Sequence, residues 1–158
     1  MFGPSGFHAG AKTVYLPRGL CVPADNQADA AMWLPPGASH EPSLKASSSL
    51  AVAILGQGSV PTLRRAMAAG KALSAALPSE PHVYLSAIGV RPESQGQGLG
   101  QRLMTPVLHR CDELGLPVYL ESTNPANHGF YAGHGFATRE MLTPVPGGPP
   151  VETMWREA

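Results

Sequence analysis

The segment at residues 84–114 constrains the fold more than any other part of this sequence. It begins with a short apolar run, partly β-branched, that predicts a strand ending before Pro92. Three glycines follow at alternate positions, namely Gly96, Gly98 and Gly100. Apolar residues then recur at helical spacing from Leu99 to Leu114, and Gly115 predicts the end of that helix. The segment therefore predicts a strand, a glycine-rich turn and a helix.

The glycine-rich turn has the chemistry of an anion site. The first amides of a helix have no internal partner and lie at the positive end of the helix dipole. Glycines lack a Cβ, so a phosphate can approach the main chain closely. No Lys-Ser or Lys-Thr pair follows the glycines, which excludes a P-loop. The spacing is not GxGxxG, and no acidic residue on a second strand is evident to bind a ribose.

A family resemblance comes from two short motifs. The run from Gln95 to Gly100 reads QGQGLG, and it is similar to the Q/R-x-x-G-x-G/A acetyl-CoA signature of the GNAT N-acetyltransferases. A second set of residues resembles the N…FYxxxGF segment of that family: Asn124, Phe130, Tyr131, Gly135 and Phe136. The order and separation of the two motifs make the likeness specific over the half of the chain from residue 83 onward. Residues 31–37 and 82–90 further resemble a branch that includes puromycin-type acetyltransferases.

The resemblance implies an α/β fold in a single domain of residues 1–158. The family fold has a central mixed sheet, mostly antiparallel, whose parallel central strands splay apart, and helices flank the sheet. The family begins with a strand and two helices, and we expect that unit to be short or missing here. We expect residues 1–10 to be flexible. We also expect the helical insert at residues 39–80, or a second subunit in a homodimer, to cover the surface left by the missing unit.

The remaining elements follow from local patterns. Residues 12–16 and 28–34 predict an antiparallel hairpin, since both are short apolar runs that end at prolines. Residues 61–77 predict a helix with one apolar face. Residues 117–121 predict a strand parallel to the earlier one, because a helix separates the two. Two more strands are predicted towards the C-terminus, at residues 136–142 and 151–156.

Composition excludes several classes of function. The net charge is +0 and only 14% of residues are charged, so no basic surface indicates a nucleic-acid partner. No apolar run approaches the ~20 residues needed to span a membrane, and no export signal is visible. The 2 cysteines are too few for a disulfide framework, and these features predict a cytoplasmic protein. The 6 histidines and the cysteines show no metal-ligand spacing, so we expect no metal.

The resemblance implies that the two motifs bind acetyl-CoA. The turn amides and the Gln95 side chain are expected to bind its diphosphate, and the splayed end of the strand is expected to pair with its pantetheine arm. The cofactor-binding residues implied in this way are Ile88, Gly89, Val90, Gln95, Gly96, Gln97, Gly98, Leu99, Gly100, Gln101, Asn127 and Tyr131. Without the resemblance, the glycines also fit a plain tight turn that enters a helix.

Two residues are the catalytic candidates. The resemblance places Tyr131 near the leaving thiolate, where a phenol of modestly lowered pKa can protonate it. Glu121 ends a predicted strand, where a carboxylate of raised pKa can accept the proton of the attacking amine. The alternatives are an aromatic side chain packed beside Phe130 for the first and a cap of the turn at residues 122–123 for the second. Rival groups on the acceptor side are His82, Tyr84 and Ser86.

These observations predict an acetyl-CoA-dependent N-acetyltransferase that moves an acetyl group to a primary amine by direct attack. A second class of function also fits, namely a GNAT-like domain that binds acyl-CoA without turnover, as a sensor or a partner-binding module. A nucleotide-binding protein is disfavoured because the Lys-Ser or Lys-Thr pair is missing. The balanced charge does not select the acceptor between a small-molecule amine and a peptide amine.

Overall fold

The structure is a computed structural model that describes residues 20–23, 30–38 and 60–158. Its α-helices are α1 (Val60–Ala76), α2 (Leu99–Leu114) and α3 (His128–Ala132). Its strands are β1 (Leu20–Pro23), β2 (Ala30–Leu34), β3 (Val83–Gly89), β4 (Val118–Ser122), β5 (Ala137–Leu142) and β6 (Val151–Arg156). None of the described helices combines the length and the apolar character needed to cross a bilayer.

The strands form one six-stranded sheet in the order β1-β2-β3-β4-β6-β5. Neighbouring strands pair antiparallel, except β3 and β4, which are parallel. The chain passes through α2 between these two strands, since parallel neighbours need a crossover connection. The α/β fold predicted from the sequence, with a mixed and mostly antiparallel sheet flanked by helices, is confirmed.

The two parallel strands separate partway along β3. Their pairing joins residues 83–85 of β3 to residues 118–120 of β4, while β3 itself continues to Gly89. On its other edge β3 stays paired with β2, where a register shift skips Ser86. A bulge of this kind bends a strand and increases its twist. The splayed central strands that the resemblance implies are therefore present.

The core lies between the sheet and the helices α2 and α3. Successive residues of a strand point to opposite faces, and Leu85, Leu120 and Met154 share the face that packs against these helices, which we call the helical face. The buried residues of α2 are Leu103, Met104, Leu108 and Cys111. The other face of the sheet, which carries Leu34 and Tyr119 and which we call the second face, is also buried at these two residues.

The predicted N-terminal hairpin is present with a different first strand. β2 lies within the predicted strand at residues 28–34, and it pairs antiparallel with Leu20–Pro23. Residues 12–16, which we predicted to be the first strand, lie outside the described residues. Pro23 is tolerated in β1 because an edge strand pairs on one side alone.

Other predictions also fall on residues that the structure does not describe. These are the flexible segment at residues 1–10, the short or missing N-terminal unit, and the first part of the insert, residues 39–59. All of them stay predictions. The same holds for the single domain, the homodimer and the cytoplasmic location.

Helix α1 confirms the helix predicted at residues 61–77, but its apolar face is not buried. No residue of α1 is buried, and the apolar side chain of Met67 is 67% exposed. Leu63 and Leu73 are only half-buried. Helical periodicity shows which side of a helix is apolar, but it does not show how closely another surface covers that side.

Leucine truncation tests the assignment of the core. Leu120→Ala removes a side chain that is 1% exposed, and we expect it to lower the free energy of unfolding by about 2–5 kcal/mol, measured by urea denaturation. The matched control is Leu114→Ala at the end of α2, where the side chain is 53% exposed and the expected change is within about 0.5 kcal/mol. Equal losses in the two variants would contradict this assignment.

Candidate active site

A cleft of about 710 Å³ lies between the end of β3, the glycine-rich turn and α3. Every predicted cofactor-binding residue except Gln97 lines it. The cleft is also lined by residues that the sequence analysis did not assign to the cofactor: Ser94, Asn124, Ala126, Phe130 and His134. The two motifs, 30 or so residues apart in the chain, thus form opposite walls of one cleft, because α3 folds back over the start of α2.

The glycine-rich turn exposes the first amides of α2. Gly96 and Gly98 have φ of 75° and 72°, a left-handed conformation that side chains disfavour, and Gly98 is the N-cap of the helix. The first hydrogen bond into the helix runs from the Arg102 amide to the Gly98 carbonyl at 3.1 Å. The amides of residues 99–101 therefore precede the helical bonding pattern and can bind an anion at the positive end of the helix dipole.

Gly100 permits a close contact between the two walls of the cleft. A Cβ at this position would lie 3.1 Å from Cζ of Phe130, which is tighter than ordinary packing. The aromatic ring of Phe130 therefore rests directly on the main chain at the start of α2. This contact explains why a small residue suits position 100.

The two glutamines of the turn use their side chains within the turn. Gln95 Nε2 donates to the Val90 carbonyl at 3.1 Å, which ties the turn to the residue that follows β3. Gln97 Nε2 donates to the Glu93 carbonyl at 3.3 Å, and Gln97 is absent from the cleft lining. These bonds give the glutamines a part in shaping the turn.

The second motif is shaped by a cap. Asn124 Oδ1 accepts a hydrogen bond from the Ala126 amide at 3.1 Å, which stabilises the 3-10 turn at Pro125–Asn127. Asn124 therefore caps this turn. Asn127 follows on an exposed position of the cleft wall, and its side chain is accessible to a ligand.

Tyr131 lies on the inner wall of the cleft. It is 6% exposed, and its ring packs edge-on against Phe130 and Phe136 with centroids 5.3 and 6.2 Å apart. Burial raises the pKa of the Tyr131 phenol above its ordinary value. The modest lowering that we expected is therefore wrong, because no positive charge offsets the loss of hydration among the described residues.

Glu121 lies on the second face of the sheet, opposite to Tyr131. It follows Leu120 in β4, and Leu120 points to the helical face where Tyr131 packs. The Glu121 carboxylate accepts hydrogen bonds from two phenols, Tyr119 Oη at 3.2 Å and Tyr84 Oη at 3.5 Å. Burial raises the pKa of Glu121 and the two hydrogen bonds lower it, with burial the larger effect. The raised pKa expected of a base is confirmed.

The alternative role of Glu121 as a turn cap finds no support in these contacts. The turn after β4 is closed by Ser122, whose Oγ donates to the Asn124 carbonyl at 3.2 Å. Glu121 does not line the 710 Å³ cleft. The two catalytic candidates therefore approach the gap between β3 and β4 from opposite faces of the sheet.

A hydrogen-bonded cluster that sequence reasoning missed anchors α3. His128 Nδ1 lies 2.8 Å from Glu152 Oε1, and Thr138 donates to the same oxygen. The Thr138 hydrogen bond, followed by His128, lowers the pKa of the Glu152 carboxyl. The three residues belong to different elements, so no local pattern could have brought them together. The anchor holds the N-terminal end of the helix that carries Tyr131.

A larger concavity of about 970 Å³ lies at the other end of the sheet, next to Pro117 and the end of β6. None of the predicted cofactor-binding or catalytic residues lines it. Its main charged groups already have partners, since Arg156 contacts both oxygens of Asp112 and Trp155 Nε1 donates to Glu157. Within the described residues, no three metal-ligating side chains lie together. The smaller cleft is therefore the candidate site.

A model of the acetyltransferase (GNAT) family matches residues 57–136, just over half of the 158-residue chain. A stretch of 59 residues is 37% identical to an uncharacterized N-acetyltransferase of Schizosaccharomyces pombe, over 37% of this chain and 24% of that protein. A stretch of 56 residues is 43% identical to mycothiol acetyltransferase of Streptomyces avermitilis, over 34% of this chain and 18% of that protein. The matches thus span a quarter or less of the length of these relatives.

Solved structures share the fold over more of the chain. The structure described as histone acetyltransferase HPA2 and related acetyltransferase, from Corynebacterium glutamicum, has a TM-score of 0.66 at 19% identity, over 99% of this chain and 76% of that one. Nourseothricin acetyltransferase has a TM-score of 0.50 at 17% identity, over 87% of this chain and 62% of that one. The fold, the cleft motifs and the family match together show that this chain belongs to the acetyltransferase (GNAT) family.

Proposed function

We propose that this protein transfers the acetyl group of acetyl-CoA to a primary amine by direct attack. The observation that carries the proposal is the position of the open helix amides, the splayed end of β3 and Tyr131 around one cleft of about 710 Å³. Family membership supports acetyl-CoA as the acyl donor. The matched relatives support the reaction class, since the names of both describe acetyltransferases.

The cleft offers donors and acceptors suited to coenzyme A. The amides of residues 99–101 are the proposed contacts of its diphosphate, because they lie at the positive end of the α2 dipole. Beyond residue 85, the edge of β3 that faces β4 has no paired strand among the described residues. An open strand edge offers N–H and C=O groups for pairing with another extended chain, so this edge is the proposed contact of the pantetheine amides. Ile88, Gly89 and Val90 line the cleft along it.

The proposed reaction needs one proton acceptor and one donor. The amine nitrogen attacks the thioester carbon, a C–N bond forms, and the C–S bond breaks. Glu121, through its raised pKa, accepts the proton that the nitrogen loses. The Tyr131 hydroxyl is the proposed hydrogen-bond donor to the leaving sulfur. No covalent intermediate on the protein is required.

The raised pKa of Tyr131 defines how it acts in this proposal. An ordinary thiol has a pKa of about 8.5 and an ordinary phenol about 10, and burial raises that of Tyr131 further. Complete proton transfer from this phenol to the thiolate is therefore unfavourable. Tyr131 instead stays protonated at neutral pH and stabilises the developing charge on sulfur by a hydrogen bond.

The acceptor in this proposal is a small-molecule amine or a peptide amine. The resemblance to puromycin-type acetyltransferases makes small amines the first choice for a substrate panel. Thiol release from acetyl-CoA over such a panel, with binding followed by calorimetry, tests the proposal. Release with at least one amine is the expected result. Tight acetyl-CoA binding without release on any amine would favour the non-catalytic sensor, and no binding would exclude both functions.

The variant Tyr131→Phe tests the phenol. We expect kcat to fall by about 10- to 100-fold, because the leaving sulfur loses its hydrogen-bond donor. The dissociation constant of acetyl-CoA should stay within about twofold, since the ring and its packing are retained. Steady-state kinetics and calorimetry measure the two quantities. An unchanged kcat would remove Tyr131 from the mechanism.

A pair of glycine variants tests the cleft as the site of coenzyme A. In Gly98→Ala the new side chain lies on a backbone with φ of 72°, a conformation that side chains disfavour, so the turn shifts and its amides move. We expect affinity for coenzyme A to fall by about tenfold or more, a loss of about 1.4 kcal/mol. Gly70→Ala, on α1 with nothing within 4 Å of the new Cβ, is the matched control. Calorimetry should show unchanged affinity in the control, and equal affinities in both variants would refute the assignment.

A further inference from the structure

Two tyrosines hold the carboxylate of Glu121 on the second face of the sheet. Tyr119 Oη donates to Oε1 at 3.2 Å, and Tyr84 Oη donates to Oε2 at 3.5 Å, so each carboxylate oxygen has its own phenol. Tyr119 is 0% exposed, whereas Tyr84 and Glu121 are half-buried. The second face therefore carries a carboxylate between two phenols at the place where β3 and β4 separate.

The register of the sheet produces this arrangement. Tyr84 of β3 and Tyr119 of β4 are direct partners in the short parallel pairing, and their rings stack with centroids 5.8 Å apart at an angle of 28°. Glu121 lies two residues after Tyr119 and so points to the same face. A slip of one residue in this pairing would turn Tyr84 away. The contacts of the two phenols with Glu121 therefore depend on the short β3–β4 pairing, which ends where the two strands separate.

The other polar groups of this face act on the tyrosines and not on Glu121 directly. His82 packs edge-on against Tyr119 at 5.6 Å and against Trp155 at 5.8 Å. From β5, the charge of Arg139 acts on Tyr119, and its guanidinium lies 5.6 Å from the Trp155 ring. From β6, Thr153 is the backbone register partner of Glu121, and its side chain acts on the Tyr119 phenol. Among the described residues, the two phenols are the polar side chains that bear on the Glu121 carboxylate.

We propose that Tyr119 and Tyr84 are positioning residues that orient the Glu121 carboxylate and keep it ready to accept a proton. The inference rests on the proposed function, in which Glu121 is the base, and it adds how that base is controlled. The tyrosines act through Glu121 and need no contact with the reacting atoms. Tyr119 is the stronger of the two because its contact is shorter and its side chain is fully buried.

Two opposing effects on the pKa of Glu121 explain why a pair of phenol donors is useful to a base. Burial favours the neutral acid and raises the pKa of Glu121, whereas hydrogen bonds donated to the carboxylate favour the charged form and lower it. A base that is buried without such donors would already carry a proton and could not accept another. Burial and the charge of Glu121 raise the pKa of Tyr119, so that phenol stays protonated and continues to donate.

The test is a carboxyl ¹³C NMR titration of the full chain labelled in glutamate, with Glu121→Gln used to assign the resonance. Removing a donor from the carboxylate raises its pKa, so Tyr119→Phe should shift the midpoint of Glu121 upward by about half a pH unit or more. Tyr84→Phe should shift it upward by less. The control is Trp155→Phe, which alters the aromatic packing on this face but removes no phenol, and it should leave the midpoint in place.

Activity measurements separate this inference from the proposed function. If an acceptor is found, the acid limb of the kcat/KM profile should move to higher pH in Tyr119→Phe by the same amount as the NMR midpoint. An unshifted midpoint in both tyrosine variants, or an equal shift in Trp155→Phe, would overturn the inference. If no amine is acetylated, the proposed function fails, and the NMR titration still decides whether the two phenols control Glu121.

Discussion

The separation of β3 from β4 beyond residue 85 is the constraint on which the rest of the site depends. A strand that loses its neighbour on one edge keeps its place in the sheet when its other edge stays paired. β2 holds β3 along its other edge as far as Gly89, and the bulge at Ser86 takes up the change of direction. The sheet thus opens on one side while staying continuous on the other.

The glycine-rich turn and α3 were predictable because each depends on residues close in sequence. Gly96, Gly98 and the following helix follow from local backbone chemistry, and the N…FYxxxGF motif marks the opposite wall. The spacing of the two motifs in the sequence does not show that they form the two walls of one cleft. It depends on the contact of Phe130 with Gly100 and on the anchor between His128 and Glu152, both of which join residues distant in sequence.

The direction of the pKa shift was predicted correctly for Glu121 and wrongly for Tyr131. The raised pKa of Glu121 follows from burial at a strand end, which the sequence indicates. Burial raises the pKa of Tyr131, and the depth of that burial depends on the tertiary surroundings of the side chain. The contact of the two phenols with Glu121 depends on the register of β3 against β4. The residue pattern of a single strand does not determine that register. The exposed face of α1 gives a second example, since the apolar pattern predicted the helix but not how closely another surface packs against it.

Glu121 and Tyr131 lie on opposite faces of the sheet. The sheet therefore separates the two groups, and the slot between them is the gap where β3 and β4 are no longer paired. In an enzyme built this way, the acyl donor occupies one side and the acceptor reaches the slot from the other. Under the proposed function, neither molecule would block the route of its partner, and both could be bound at once. Kinetics that require a ternary complex, with initial-rate lines that intersect, follow from this geometry, whereas a double-displacement scheme would give parallel lines.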